Sequence, residues 1–213
     1  MIEAVLWDFG GVLTTSPFEA FNRYEQERGL PRDFIRGINS IDPESNAWAQ
    51  FESSEISAAE FDGAFEAESA AQGHAIKGQE VLALLSGDLR PRMVNALQQC
   101  KAAFKVACLT NNVKSGEGPG MAGSSDKAAK VAEVMTLFDL VVESRLEGIR
   151  KPNPQIYLVA CERLGVSPEH TVFLDDLGIN LKPAKALGMS TIKVIDPDVA
   201  LDELSAITGL VFD

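Results

Sequence analysis

Asp8 ends an apolar run over residues 2–7 and is followed at once by Phe9, Gly10 and Gly11. A carboxylate placed at the end of a buried strand can attack an electrophilic centre and hold a transferred group covalently. Three further polar signals sit where other apolar runs stop. Thr110-Asn111-Asn112 follows the run 105–109, Lys151-Pro152-Asn153-Pro154 precedes a helical pattern, and Asp175-Asp176 ends the run 171–174. A nucleophile, neutral hydrogen-bond donors, a cation and paired acids together make a set suited to phosphoryl transfer.

Each member has a distinct task on that reading. Gly10 and Gly11 let the backbone turn tightly and present N–H groups to an anion. The Thr110 hydroxyl and the Asn111 and Asn112 amides supply polar contacts to phosphoryl oxygens without adding charge. Lys151 precedes a proline, which keeps its backbone extended, while Asn153 as N-cap and Pro154 at the first helical position start a helix immediately after it. A lysine held on that short loop can neutralise charge building on a transferring phosphoryl group. The adjacent carboxylates Asp175 and Asp176 repel each other unless a cation joins them, and an all-oxygen site of this kind suits Mg²⁺.

The elements that must carry these groups are legible as alternating patterns. Apolar runs of strand length occur at 2–7, 105–109, 140–142, 171–174 and 191–194. Between the later ones lie amphipathic helical patterns: Met93, Val94, Leu97 and Cys100 share one face, as do Ile156, Val159, Ala160 and Leu164. Strands alternating with helices predict a Rossmann-like α/β core, a parallel sheet covered by helices on both sides. Such sheets hold ligands beyond the carboxyl ends of their strands, where all four polar signals fall.

Residues 16–89 interrupt the alternation and read as helices only. Phe18, Phe21 and Glu25 open one helix, Ser57 and Glu60 form a capping-box pattern ahead of Phe61 and Phe65, and 79–86 makes a third. Six of the eleven phenylalanines and Trp48 lie here, enough for a separate small core. The chain is therefore expected to comprise a core domain, 1–15 with 90–213, and an inserted all-helical cap, 16–89. The glycine-rich stretch 114–126 has no apolar period and is expected to be a loop.

Composition narrows the partners. A formal charge of −12 opposes binding to nucleic acid or an anionic membrane, and favours a small-molecule partner. From Ser16 to Asp88 there are 14 acids against 5 bases, read as solvated helix faces. Cys100, Cys108 and Cys161 sit in apolar or helical patterns at no metal-ligand spacing, as buried thiols of a reducing compartment would. With no leader-like start and no apolar run of membrane-spanning length, a soluble cytoplasmic protein is expected. His74 and His170 are expected at the surface.

The four signals together resemble the haloacid dehalogenase (HAD) superfamily. Residues 172–189, the Lys151–Tyr157 stretch, Glu55-Ile56 and Thr208-Gly209 are similar to the phosphatase domain of soluble epoxide hydrolases, and the Asp-Phe-Gly-Gly-Val form of the first motif resembles HAD-like domains joined to acyl-CoA dehydrogenases. The resemblance implies a Mg²⁺-dependent phosphatase acting on a small organic phosphate. It makes Asp8 the nucleophile, with Mg²⁺ bound by Asp8, the main-chain carbonyl of Gly10, Asp176 directly and Asp175 through water. It also raises the prospect of a homodimer. Gly10 stands where the family usually has a second aspartate, which protonates the leaving group and then activates water. Two alternatives stay open: a catalytically impaired binding or dimerisation module, and a 2-haloacid dehalogenase, which also lacks the second aspartate but uses no metal.

Overall fold

The computed structural model describes residues 1–112 and 125–212. Strands β1 (Ala4–Trp7), β2 (Lys105–Thr110), β3 (Leu140–Glu143), β4 (Thr171–Asp175) and β5 (Ser190–Lys193) form one sheet in the order β3-β2-β1-β4-β5. Every pairing is parallel. The helices in chain order are α1 (Pro17–Arg28), α2 (Phe34–Ser40), α3 (Ala47–Glu52), α4 (Ala58–Ala71), α5 (Gly78–Ala83) and α6 (Pro91–Ala103), then α7 (Ser125–Met135), α8 (Ser144–Glu147), α9 (Pro154–Leu164), α10 (Gly178–Ala186) and α11 (Pro197–Thr208).

Period-two alternation in β1 divides the core. Val5 and Trp7 face a cluster containing Met93, Leu97, Cys100, Val131 and Leu204, whereas Ala4 and Leu6 face Ile156, Tyr157, Phe173 and Leu181. Both faces are covered, as a parallel sheet requires. The α/β expectation is met. All three cysteines are free and buried, as expected; His74 is exposed, and His170 is half-buried with its ring still reaching the surface.

The ends of the strands differ from the sequence reading for a simple reason. Ala4 pairs with Lys105 on one side and Thr171 on the other, the first residues of β2 and β4, so Ile2 lies beyond any ladder partner. At the other end Trp7 is level with Cys108 and Leu174, and the backbone N–H of Asp8 donates to the Leu174 carbonyl at 2.8 Å. That register brings the tips of β1, β2 and β4 to one place.

Helices α1 to α5 pack around a third apolar cluster of Phe21, Ile35, Phe51, Phe61, Phe65 and Val81, with Phe51 and Phe61 stacked at 4.7 Å between ring centroids. Phe61 is fully buried, and its truncation to alanine would cost about 3–5 kcal/mol. The capping box that starts α4 is complete: Glu60 N donates to Ser57 Oγ at 3.3 Å and Ser57 N to Glu60 Oε2 at 2.8 Å. Helices α2 and α3 carry no periodic signal long enough to read individually; each spans two turns or fewer.

The segments entering and leaving this helical group pair with each other. Thr15 N donates to the Asp88 carbonyl and Arg90 N to the Leu13 carbonyl, both at 2.8 Å. Gly87 permits the approach, since a Cβ there would lie 2.5 Å from the Thr15 carbonyl oxygen. Helix α7 begins within the stretch expected to be a loop; the remainder of that expectation, 114–124, lies outside the described residues. Among the described residues no helix is long and apolar enough to cross a membrane.

Candidate active site

At the tip of β1 the chain turns through Phe9, Gly10 and Gly11, leaving Asp8 only 7 % exposed. Gly11 has φ +78°, and a Cβ there would sit 2.3 Å from Asp176 Oδ2. The turn can therefore lie against the acidic pair only if this residue is glycine. Gly10 differs: a Cβ built on it meets no heavy atom within 4 Å.

Lys151 links two of the three acids. Its Nζ lies 2.8 Å from Asp8 Oδ1 and 2.7 Å from Asp175 Oδ2, and the residue is 1 % exposed. The ammonium also stands 5.5 Å above the Phe173 ring centroid. Asp8 Oδ1 further accepts from Phe9 N at 2.7 Å, which turns the carboxylate. The Lys151–Pro152 peptide is cis.

Asp175 and Asp176 are adjacent yet unlike. Asp175 is fully buried; its Oδ1 accepts from Leu177 N at 2.8 Å and Asn180 Nδ2 at 3.0 Å, and its Oδ2 accepts from Lys151. Asp176 is partly exposed and accepts from Ser16 Oγ at 3.4 Å. Asp175 is thus committed to holding Lys151 and the start of α10, while Asp176 keeps oxygen lone pairs for a cation.

Burial pushes the Asp8 carboxyl well above its usual range; Lys151 pulls it back only in part, and Asp175 and Asp176 add to the rise. Asp176 is pushed up to about 6, mainly by burial and then by Asp175. Burial opposes the charge on Lys151, but Asp175 and Asp8 outweigh it and hold the ammonium above its ordinary pKa. Three carboxylates against one ammonium leave the site short of positive charge. One oxygen from each of Asp8, Asp175 and Asp176 lies within 4.8 Å of the others, so the donor set fits a small, hard dication.

The Thr110-Asn111-Asn112 segment does not act as one unit. Thr110 is buried as the last residue of β2, beside the Asp8 turn. Asn111 is turned onto the lysine loop: its Nδ2 donates to the Lys151 carbonyl at 2.9 Å, and Lys151 N donates to Asn111 Oδ1 at 2.8 Å. Asn112 is fully buried with its amide on Glu143, while its backbone N–H donates to Ser144 Oγ at 3.0 Å. Its contacts secure β3 and α8, a placement different from the phosphate contact expected of it.

Other groups at the site were not singled out in the sequence. Asn180 lies in the first turn of α10, where a helix beginning just after Asp175 folds back onto it. Ser16 caps α1 and touches Asp176. Arg150, next to Lys151, pairs with Glu52 of α3 at 2.8 Å and donates to the Pro43 carbonyl. Two polar residues flanking named motifs, Arg150 and Ser16, were the available signal.

The model of the haloacid dehalogenase-like hydrolases matches residues 2–188. The chain belongs to that family of hydrolases. It is 35 % identical to acyl-CoA dehydrogenase family member 10 of Mus musculus, covering 97 % of this chain and 19 % of the mouse protein. To bifunctional epoxide hydrolase 2 of Sus scrofa it is 31 % identical, over 98 % of this chain and 39 % of the pig protein. The chain thus spans well under half of either of these relatives. Among solved structures, a HAD family enzyme of Bacteroides thetaiotaomicron, in complex with magnesium and inorganic phosphate, superposes with a TM-score of 0.58 at 22 % identity, over 91 % of this chain and 94 % of that one.

Proposed function

We propose that this HAD-like hydrolase is a Mg²⁺-dependent phosphatase of small organic phosphates, with Asp8 as nucleophile and an aspartyl-phosphate intermediate. The observation that carries the reading is the Lys151 ammonium set 2.8 Å from Asp8 and 2.7 Å from Asp175, within a cluster of three carboxylates. Mg²⁺ held by Asp8, Asp176 and the Gly10 carbonyl would offset the charge of a phosphate brought beside these acids. The structural neighbour that holds magnesium and inorganic phosphate supports the same pairing.

The chain's own groups divide the work. Lys151 opposes the burial that favours the neutral form of Asp8, and its ammonium is placed to offset charge that grows during transfer. Thr110 and the N–H groups of the Gly10–Gly11 turn receive phosphoryl oxygens; Asn111 holds the lysine loop. Asp175 and Asn180 hold Lys151 in place from the far side. Residues 16–89 act as a cap, tied to the site through Ser16 on Asp176 and Glu52 on Arg150. A net charge of −12 keeps polyanions away and leaves a small phosphate as substrate.

Gly10 decides which substrates qualify. General acid–base catalysis contributes about 10²–10⁴-fold. Without it, leaving groups that depart as stable anions, such as aryl and acyl phosphates, are favoured over simple alkyl phosphates. Purified protein with Mg²⁺ should hydrolyse an aryl phosphate, and Asp8→Asn should abolish this; equal turnover by the variant would refute the reading. Gly10 also favours a second reading, a binding module without turnover, which tight Mg²⁺ and phosphate binding across an unreactive substrate panel would reveal. The acidic cluster argues against a metal-free dehalogenase, and halide release that survives a chelator would restore that possibility.

A further inference from the structure

We infer, building on Asp8 as phosphoryl acceptor, that Glu52 at the end of α3 is a positioning residue for the site: through Arg150 it sets where the Lys151 ammonium stands between Asp8 and Asp175. The helical group holds α3 at both ends. Ala47 N donates to Glu68 Oε1 at 2.8 Å, and Glu55 N to the Gln50 carbonyl at 2.8 Å. Phe51 is buried and stacked on Phe61, so the residue that follows it departs from a fixed point. Glu52 is buried too. Its Oε2 accepts from Arg150 Nη1 at 2.8 Å, while Arg150 Nη2 donates to the Pro43 carbonyl. Burial raises the Glu52 carboxyl above its ordinary range; Arg150 is the foremost group lowering it again, and Trp48 and Lys151 act in the same sense.

Beyond Arg150 the chain has little slack. The Arg150 carbonyl accepts from Asn153 N at 2.9 Å, and Asn111 holds both the N–H and the carbonyl of Lys151. From that backbone one ammonium meets two carboxylates at once, 2.8 Å and 2.7 Å away. Like charges on consecutive residues repel, and each is drawn to its own acid, Arg150 to Glu52 and Lys151 to Asp8 and Asp175. Removal of the Glu52 carboxylate leaves a guanidinium without its acid partner next to a cluster of three carboxylates served by one ammonium, and the lysine loop shifts with it. A misplacement of about 1 Å can cost about 10²-fold in rate. Glu52 acts on the reacting atoms only through Arg150 and Lys151. Its loss therefore falls on the transition state, where the ammonium offsets growing charge, and spares the binding of substrate and cation.

The test compares Glu52→Ala, Glu52→Gln, Arg150→Met and the Glu52→Ala/Arg150→Met double variant in 4-nitrophenyl phosphate kinetics, Mg²⁺ titration and amide exchange. Glu52→Ala and Arg150→Met should each lower kcat about tenfold or more, with KM and the Kd for Mg²⁺ within about threefold of wild type. Glu52→Gln keeps an oxygen for Arg150 Nη1 and should recover most of the loss. The double variant should be no slower than the slower single one, because residues acting through each other do not add. The Lys151 N–H should exchange faster in Glu52→Ala while the amides of α4 keep their protection. Wild-type kcat in Glu52→Ala, a rise in KM in place of a fall in kcat, additive losses, or exchange that quickens throughout α4 would each overturn the role given to Glu52. A wild type without turnover above the Asp8→Asn background would overturn the phosphatase instead, and unchanged Lys151 exchange in Glu52→Ala would then overturn the positioning role by itself.

Discussion

Asn111 grips the peptide units on both sides of Lys151, donating to its carbonyl at 2.9 Å and accepting from its N–H at 2.8 Å. A single amide thereby sets the backbone from which the buried ammonium reaches two carboxylates. Asn111→Ala removes two hydrogen bonds, each worth about 0.5–1.5 kcal/mol net. Aryl-phosphate turnover should fall about tenfold or more, with a urea midpoint lowered by a comparable free energy. Unchanged turnover would show that the loop is held by other means.

Lys151→Met leaves Asp8 and Asp175 buried without their shared cation. Breaking a buried pair in this way costs about 3–5 kcal/mol, so the variant should unfold at much lower denaturant in chelator. Added Mg²⁺ should restore part of that loss. An unaltered midpoint would mean that the two acids are protonated in the folded protein.

The two glycines of the turn should respond in opposite ways. Gly11→Ala combines a left-handed φ with a contact on the Asp176 carboxylate, and should cost about 1–3 kcal/mol and impair Mg²⁺ binding. Gly10→Ala meets open space and should leave the melting temperature nearly unchanged. Calorimetry of the pair reads both.

Mg²⁺ should stabilise the folded chain by mass action, about 2.7 kcal/mol at a hundredfold excess over Kd. Asp176→Asn should remove most of this stabilisation, because Asp176 holds the freest oxygens of the cluster. A thermal shift that survives the substitution would place the ion elsewhere.

Cys100 is buried, and its thiol is pushed up to about 12 by that burial; burial raises Cys108 and Cys161 as well. Thiolates form only as pH climbs past these raised values, so at about pH 8 the native protein should resist a thiol-specific reagent. All three should react once denaturant is added. Prompt labelling of the folded chain would contradict the packing of α6, β2 and α9.

Much of this architecture is readable in the residues because strand tips and helix starts carry local signatures. Asp8, Lys151, Asp175 and Asp176 follow apolar runs or precede a proline, and the sheet register brings them together. Asn112 was beyond such reading: adjacent strand-end residues point in opposite directions, so only one of Asn111 and Asn112 could face the lysine loop. Asn180 was hidden because its role depends on α10 folding back on Asp175, a tertiary relation without a sequence period. Short helices such as α2 and α3 draw their stability from Phe51, Ile35 and their neighbours in the shared cluster, more than from propensity of their own.

Arg150 and Lys151 are consecutive, yet one reaches outward to Glu52 and the other inward to Asp8 and Asp175. Any excursion of α3 away from the sheet must tug on the very peptide unit from which the buried ammonium hangs. If residues 16–89 act as the proposed cap, admission of a molecule and the electrical balance that receives it are geared together through one covalent link.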